Sequence, residues 1–126
     1  MIDFNNASFM KLSPSDPQTA TKDLAGILVG GEQVVASFKG IRDSVIITNL
    51  RIVAINVQGL TGKKIDYTSL PLNRIQAFSV ETAGTFDLDS ELQVWFSGMG
   101  VVKFEFSRGT DIRAISQLIA SVALSR

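Results

Sequence analysis

The spacing of apolar residues changes twice along this chain, and the two changes limit what it can fold into. Apolar residues recur at helical spacing between Asp16 and Gly31, and the same spacing returns after Thr110. Between these segments, short runs rich in β-branched and aromatic residues alternate with polar residues, which is typical of half-buried strands. The sequence therefore predicts a helix, about seven short strands and a second helix, in one domain of ordinary size.

The N-terminal quarter is predicted to hold an arm and a helix. Residues 1–15 show no clear period and predict an irregular arm. Asp16-Pro17 supplies an N-cap followed by a proline at the first helical position, and Gly30-Gly31 supplies a stop. We therefore expect an amphipathic helix over residues 17–29.

The strands are predicted to form antiparallel hairpins. Gly98-Met99-Gly100 joins the last two strands, and other turn sequences separate many of the earlier ones. The C-terminal helix has Thr110 or Ser107 as a cap and presents one apolar face. This order predicts an antiparallel barrel or sandwich whose open end the final helix closes. The strand candidates are residues 34–39, 43–49, 50–57, 64–70, 75–82, 92–97 and 101–107.

Several short motifs, in this order, resemble the bacterial pleckstrin-homology-like (PH-like) domain family. They are Gly40-Ile41-Arg42-Asp43, residues 47–53, residues 58–64, Ser69-Leu70-Pro71, residues 78–84 and residues 86–92. The resemblance implies a mainly β, PH-like barrel or sandwich of about seven antiparallel strands, closed by a C-terminal amphipathic helix. It also implies no catalytic activity and a tendency to assemble into ring-like homo-oligomers. It names no ligand, because one fold hosts many functions.

On this interpretation the chain is a single domain with an N-terminal addition. The PH-like domain is expected over residues 32–126, and the arm and helix of residues 1–31 are expected to pack on it.

Composition excludes several classes of function. The chain has no histidine and no cysteine, which removes Ser-His-Asp and Cys-His catalysis, disulfides and histidine- or cysteine-ligated metals. The formal net charge is zero, without the basic excess that nucleic-acid binding needs. We therefore expect no enzyme activity, no cofactor and no nucleic-acid partner. The first six residues lack a signal-peptide pattern, so a cytoplasmic location is expected.

Four cations form a candidate anionic-ligand loop. Lys39 and Arg42 flank one predicted turn, and Lys63 and Lys64 close the next. In eukaryotic relatives of this fold, lysines and arginines around the first such loop bind phosphoinositides. Ordinary solvated charges on hairpin loops are the alternative interpretation, since four cations are few for a phosphate cluster.

An acidic stretch supplies the candidate metal ligands. Asp87, Asp89 and Glu91 alternate, and an extended segment would put all three carboxylates on one face. An EF-hand would need glycine at Leu92 and glutamate at Gly98, so this pattern is not met. A solvated strand edge, or a surface for a partner's basic side chains, is the alternative.

Trp95 is the candidate interface residue. Alternation places it opposite Val94 and Phe96, so that it faces outward if those two face the core. An exposed tryptophan on a sheet suggests a contact surface, unless the N-terminal arm or helix covers it.

The favoured function is assembly. Segments such as Val45-Ile46-Ile47 are apolar on both faces and need two covers, of which the final helix provides one. The second cover is the N-terminal helix, another subunit, or both. We expect a homo-oligomer, a cyclic ring, that binds a protein partner. Peripheral binding to anionic membranes is the alternative.

Overall fold

The computed structural model describes residues 1–59, 62 and 64–125, and within them the chain forms eight strands and two α-helices. Each of the seven predicted strands matches one of β2 to β8 within two residues at either end. The predicted mainly β, PH-like fold class, with a C-terminal helix, is confirmed. The elements in chain order are β1 (Ala7–Pro14), α1 (Pro17–Asp23), β2 (Val34–Lys39), β3 (Asp43–Thr48), β4 (Arg51–Gln58), β5 (Lys64–Pro71), a 3₁₀ helix (Leu72–Arg74), β6 (Ala77–Glu81), β7 (Ser90–Phe96), β8 (Gly100–Phe106) and α2 (Ile112–Ala123).

All eight strands belong to one sheet, in the order β5-β4-β3-β2-β1-β8-β7-β6. Neighbouring strands are antiparallel except β1 and β8, which run parallel with Ala7 opposite Val102. β1 also pairs with β2 at Ser13 and Pro14. The strand therefore joins the half formed by β2 to β5 to the half formed by β6 to β8.

The prediction of an irregular arm over residues 1–15 was wrong, because most of that segment is β1. Phe9 and Leu12 are buried at 3% and 0% exposure, yet they lie three residues apart. A bulge between them disrupts the two-residue period, and Lys11 within it has a φ of 53°. The alternation that signals a strand is hidden by this irregularity.

The main core lies between the two halves of the sheet. Phe9 stacks on Phe104 with ring centroids 5.4 Å apart, and Phe38 packs on Phe106 at 4.7 Å. α2 closes this core with three buried isoleucines, Ile112, Ile115 and Ile119. Its N-cap is Asp111, not Thr110 or Ser107, and the Asp111 side chain accepts a hydrogen bond from the Ala114 N–H at 3.1 Å.

α1 covers the outer face of the β2 to β5 half. Ala20 and Leu24 pack with Ile46 and Val53 in a second buried cluster. Strands with two apolar faces need a packing partner on each face, and on this face of β3 and β4 the same chain supplies that partner.

α1 is shorter than the predicted 17–29 helix, since it ends at Asp23. Gly26, at φ 83°, takes the chain out of the helical conformation before Gly30-Gly31 is reached. Within the part of the chain that the structure describes, no helix is long and apolar enough to cross a bilayer.

Candidate interaction surfaces

The predicted cationic loop forms a surface at the turns that join β2 to β3 and β4 to β5. Arg42 donates a hydrogen bond from Nη2 to the Gly59 carbonyl at 3.0 Å, which joins the two turns. Lys39 and Lys64 are exposed at the strand ends beside them, whereas Lys63 lies outside the described residues. Ile41, at the tip of the first turn, is 96% exposed. We call Lys39, Ile41, Arg42 and Lys64 the turn surface.

The three acidic candidates do not line one face of an extended segment. Asp87 and Asp89 lie in the loop before β7, where the Asp87 carboxylate accepts the Asp89 N–H at 3.0 Å, and only Glu91 lies in the strand. Among residues 1–59, 62 and 64–125, no group of three acidic residues is placed to hold a metal ion.

Glu91 instead belongs to a row of glutamates that the sequence did not reveal. It lies opposite Glu81 of β6 and Glu105 of β8. Like charges directly opposite each other cost stability, and here a hydrogen bond of 2.6 Å from the Gln93 side chain to Glu91 supplies one polar contact. The row makes the outer face of this half acidic.

Trp95 faces outward, as the alternation predicts. It is 40% exposed, while Val94 and Phe96 beside it are 0% and 4% exposed. Its cross-strand neighbours are Ala77 of β6 and Val101 of β8. α1 packs over the other half of the sheet, so in the described chain it leaves Trp95 uncovered. We call Ala77, Trp95 and Val101 the β6 edge patch.

A second apolar patch lies at the opposite end of the sheet. Ile65 and Tyr67 of β5 are 47% and 39% exposed, and they lie opposite Val57 and Ile55 of β4. We call these four residues the β5 edge patch. In the strand order of the described chain, β5 and β6 each have one neighbour only, so each leaves a free edge.

Glu32 and Arg51 form a buried ion pair that the sequence analysis missed. Arg51 donates from Nε and Nη2 to the two Glu32 carboxylate oxygens, both at 2.8 Å, and from Nη2 to the Ile27 carbonyl at 2.7 Å. Thr48 donates its hydroxyl to Glu32 at 2.7 Å. The Glu32 side chain is fully buried. Glu32 lies in the segment between α1 and β2, and its ion pair with Arg51 holds that segment against strand β4.

The pKa of Glu32 reflects this network. Burial raises it, but the hydrogen bonds from Arg51, Thr48 and the Val29 N–H, together with the charge of Arg51, outweigh burial and lower the pKa to about 2. No spacing signature marks such a pair, because its two members meet only after β2 to β4 have assembled.

A groove between β2 and α2 was also missed. It has a volume of about 360 Å³, and its lining includes Val35, Phe38, Thr110 and Leu118. In the sequence these residues were assigned to a strand, a cap and a helix face, and only the packing of α2 beside β2 brings them together.

Comparisons with known proteins agree with this architecture. The family model described as "Bacterial PH domain" matches residues 3–123. The uncharacterised protein YjqA of Bacillus subtilis (strain 168) is 44% identical over 105 residues, covering 82% of this chain and 84% of its own.

Two solved structures are similar over most of both chains. A protein with a pleckstrin-homology domain from Shewanella loihica PV-4 is 37% identical, with a TM-score of 0.78, covering 90% of this chain and 98% of its own. A pleckstrin-homology domain from Shewanella amazonensis SB2B is 41% identical, with a TM-score of 0.66, covering 88% and 90%. The eight-stranded sheet, the closing helix and these matches together show that the chain belongs to the bacterial PH domain family.

Proposed function

We propose that this chain is a non-enzymatic assembly module that self-associates head to tail, with the β5 edge patch of one subunit against the β6 edge patch of the next. One observation carries the proposal: both ends of a single sheet are free strand edges, and exposed apolar side chains lie on β5 at one end and on β7, next to the edge strand β6, at the other. Free edges are sites of strand-to-strand association, and exposed apolar patches favour burial.

The placement of the patches favours a ring. Because they differ and lie at opposite ends of the sheet, contact between them is heterologous, and such contacts close into a ring when the rotation between subunits allows it. Charge supports the same pairing, since exposed Lys64 begins β5 and exposed Glu81 ends β6. The completed ring is proposed to bind a further protein partner.

Native mass spectrometry of the purified protein and two variants tests this proposal. We expect one closed multimer for the parent chain and a monomer for Trp95→Glu or Ile65→Glu, since each variant puts a charge into one patch. A mixture of the two variants should contain a dimer, because each variant retains the patch that the other has lost. If the subunits instead associated through the same patch on both partners, only the variant in that patch would be monomeric.

Ile41→Glu is the matched control, because Ile41 is more exposed than either residue and lies outside both patches. It should assemble as the parent does. A parent chain that stays monomeric at tens of micromolar across ordinary salt concentrations would contradict self-association. A mixture that stays monomeric would contradict the head-to-tail pairing.

The turn surface favours a second candidate function, binding to anionic membranes. Ile41 projects from a turn between two cations, which is a suitable arrangement for an apolar side chain that enters a headgroup layer. Each basic residue near an anionic surface contributes about 1 kcal/mol.

We expect co-sedimentation with phosphatidylserine vesicles that weakens with salt. Lys64→Glu should reduce the vesicle affinity about fivefold or more, and Ile41→Asp should reduce it as well. Phosphatidylcholine vesicles are the control lipid, and Lys103→Glu, an exposed charge change on β8, is the control variant. Equal sedimentation with and without phosphatidylserine would remove this function.

A further inference from the structure

The groove beside β2 exists because β1 leaves the sheet early. The pairing of β1 with β2 ends at Pro14, opposite Phe38, and one further hydrogen bond of 2.8 Å joins the Ser15 N–H to the Ser37 carbonyl. The chain then turns into α1. In the described part of the chain, residues 34–36 of β2 therefore have β3 on one side and no strand on the other.

The space where β1 would have continued is bounded by α2. Ala114 and Leu118 of α2 form the far wall, and Gly109 and Thr110 of the preceding connection form one end. The floor is apolar, since Phe38, Ile47 and Ile115 of the main core reach it. Neighbouring strands lie about 4.8 Å apart, so an added strand would occupy this groove along β2.

Two polar features indicate the chemistry of an occupant. The Thr110 hydroxyl oxygen is buried and, within the described residues, has no hydrogen-bond partner. A buried polar group without a partner is costly, and the backbone of a bound segment would supply one. Among the described residues that line the groove, Asp111 is the only charged one, so its carboxylate makes this end of the groove negative and complements a basic group.

We propose that this groove binds an extended segment of a partner protein, which adds to β2 beside residues 34–36 as a short strand. The segment carries apolar residues at alternate positions, whose side chains pack between Phe38 and Leu118, and a lysine or arginine that reaches Asp111. Backbone hydrogen bonds to the free edge give affinity, while the apolar floor and the acidic rim select the sequence. Self-association through the sheet ends involves neither Thr110 nor Asp111, so the two proposals fail or succeed separately.

The test is an NMR titration of the isotope-labelled full chain with a panel of capped hexapeptides. Each peptide has alternating valine and serine flanked by lysine, and matched peptides carry glutamate in place of lysine or N-methylated valine. We expect saturable shifts confined to residues 34–38 and 109–118. Asp111→Asn should weaken binding about threefold to fivefold, the loss of one exposed ion pair.

Ala114→Arg should abolish peptide binding, because it fills the groove and adds positive charge. Gln117→Arg is the control, since Gln117 is exposed on α2 but does not line the groove. The proposal is overturned if lysine peptides cause no saturable shifts, if the shifts lie elsewhere, or if glutamate or N-methylated peptides bind equally well. Shifts at the same residues on raising the protein concentration alone would overturn it in favour of a second copy of the chain.

Discussion

Replacement of Arg51 by methionine is expected to lower the free energy of unfolding by about 3–5 kcal/mol, the usual cost of leaving one member of a buried ion pair without its partner. Glu32 would stay fully buried without the guanidinium that meets both of its carboxylate oxygens, and the Ile27 carbonyl would also lose its donor. Urea denaturation at neutral pH and one fixed protein concentration measures the change. A loss below about 1 kcal/mol would mean that the pair is not buried as described.

A double variant separates the pair from its surroundings. Glu32→Leu combined with Arg51→Met should cost less than Arg51→Met alone, because no unpaired charge remains in the interior. Arg108→Met is the control, since Arg108 is exposed after β8. If the double variant is no more stable than Arg51→Met, the destabilisation comes from lost packing of the arginine side chain and not from an unpaired buried charge.

The pair also gives stability a defined pH dependence. The pKa of Glu32 falls from 4.5 to about 2 on folding, so the folded state binds this proton less readily than the unfolded state. Its contribution is complete above about pH 4.5 and is lost as the pH falls towards about 2, amounting to at most about 3 kcal/mol. In Arg51→Met, burial still raises the pKa of Glu32 and only the hydrogen bonds from Thr48 and the Val29 N–H still lower it, so this acid-range loss should become smaller.

Substitution of Gly100 by alanine is expected to destabilise the chain by about 2–5 kcal/mol, combining a strained backbone with overpacking. Gly100 has a φ of 137°, and a Cβ at this position would lie 2.9 Å from the carbonyl oxygen of Phe4. The contact is with backbone, and Phe4 is held against Phe96 with ring centroids 6.4 Å apart, so the neighbour has little freedom to move.

Gly98→Ala is the matched control for this substitution. Gly98 lies in the same turn, also at positive φ (78°), but a Cβ there would meet no atom within 4 Å. Gly98→Ala should lower the free energy of unfolding by only about 1–2 kcal/mol, which is the cost of placing alanine at a positive φ. Urea denaturation compares the two, and limited proteolysis should show earlier cleavage near Phe4 in Gly100→Ala. Equal losses for both variants would contradict the close approach of the N-terminal segment.

The parts of the fold that were predicted correctly are those whose local pattern agrees with their packing. In β2, Phe38 and Lys39 face opposite sides in the period-two order, and the strand was placed at its observed bounds. In β1 the bulge at Lys11 separates Phe9 from Leu12 by three residues, so the pattern did not signal a strand. The end of α1 depends on Gly26, whereas the sequence predicted the stop at Gly30-Gly31.

The candidate surfaces also divide into features that the local sequence pattern predicts and features that depend on contacts between distant segments. The outward direction of Trp95 follows from alternation alone, so the sequence was sufficient. The acidic row required the register that puts Glu91 opposite Glu81 and Glu105. The groove required α2 to lie beside β2, and nothing local to Thr110 records that neighbour. Contacts between distant segments are therefore what the single sequence did not reveal.

The parallel pairing of β1 with β8 has a consequence for folding kinetics. Ala7 meets Val102, so the strand that joins the two halves of the sheet forms its ladder with residues that are made after β2 to β7. Such long-range pairing slows folding, because a large loop must close before the contacts form. During translation β1 must wait for β8, and until β8 emerges the nascent chain carries Phe9 and Leu12 without the partner strand against which they are buried.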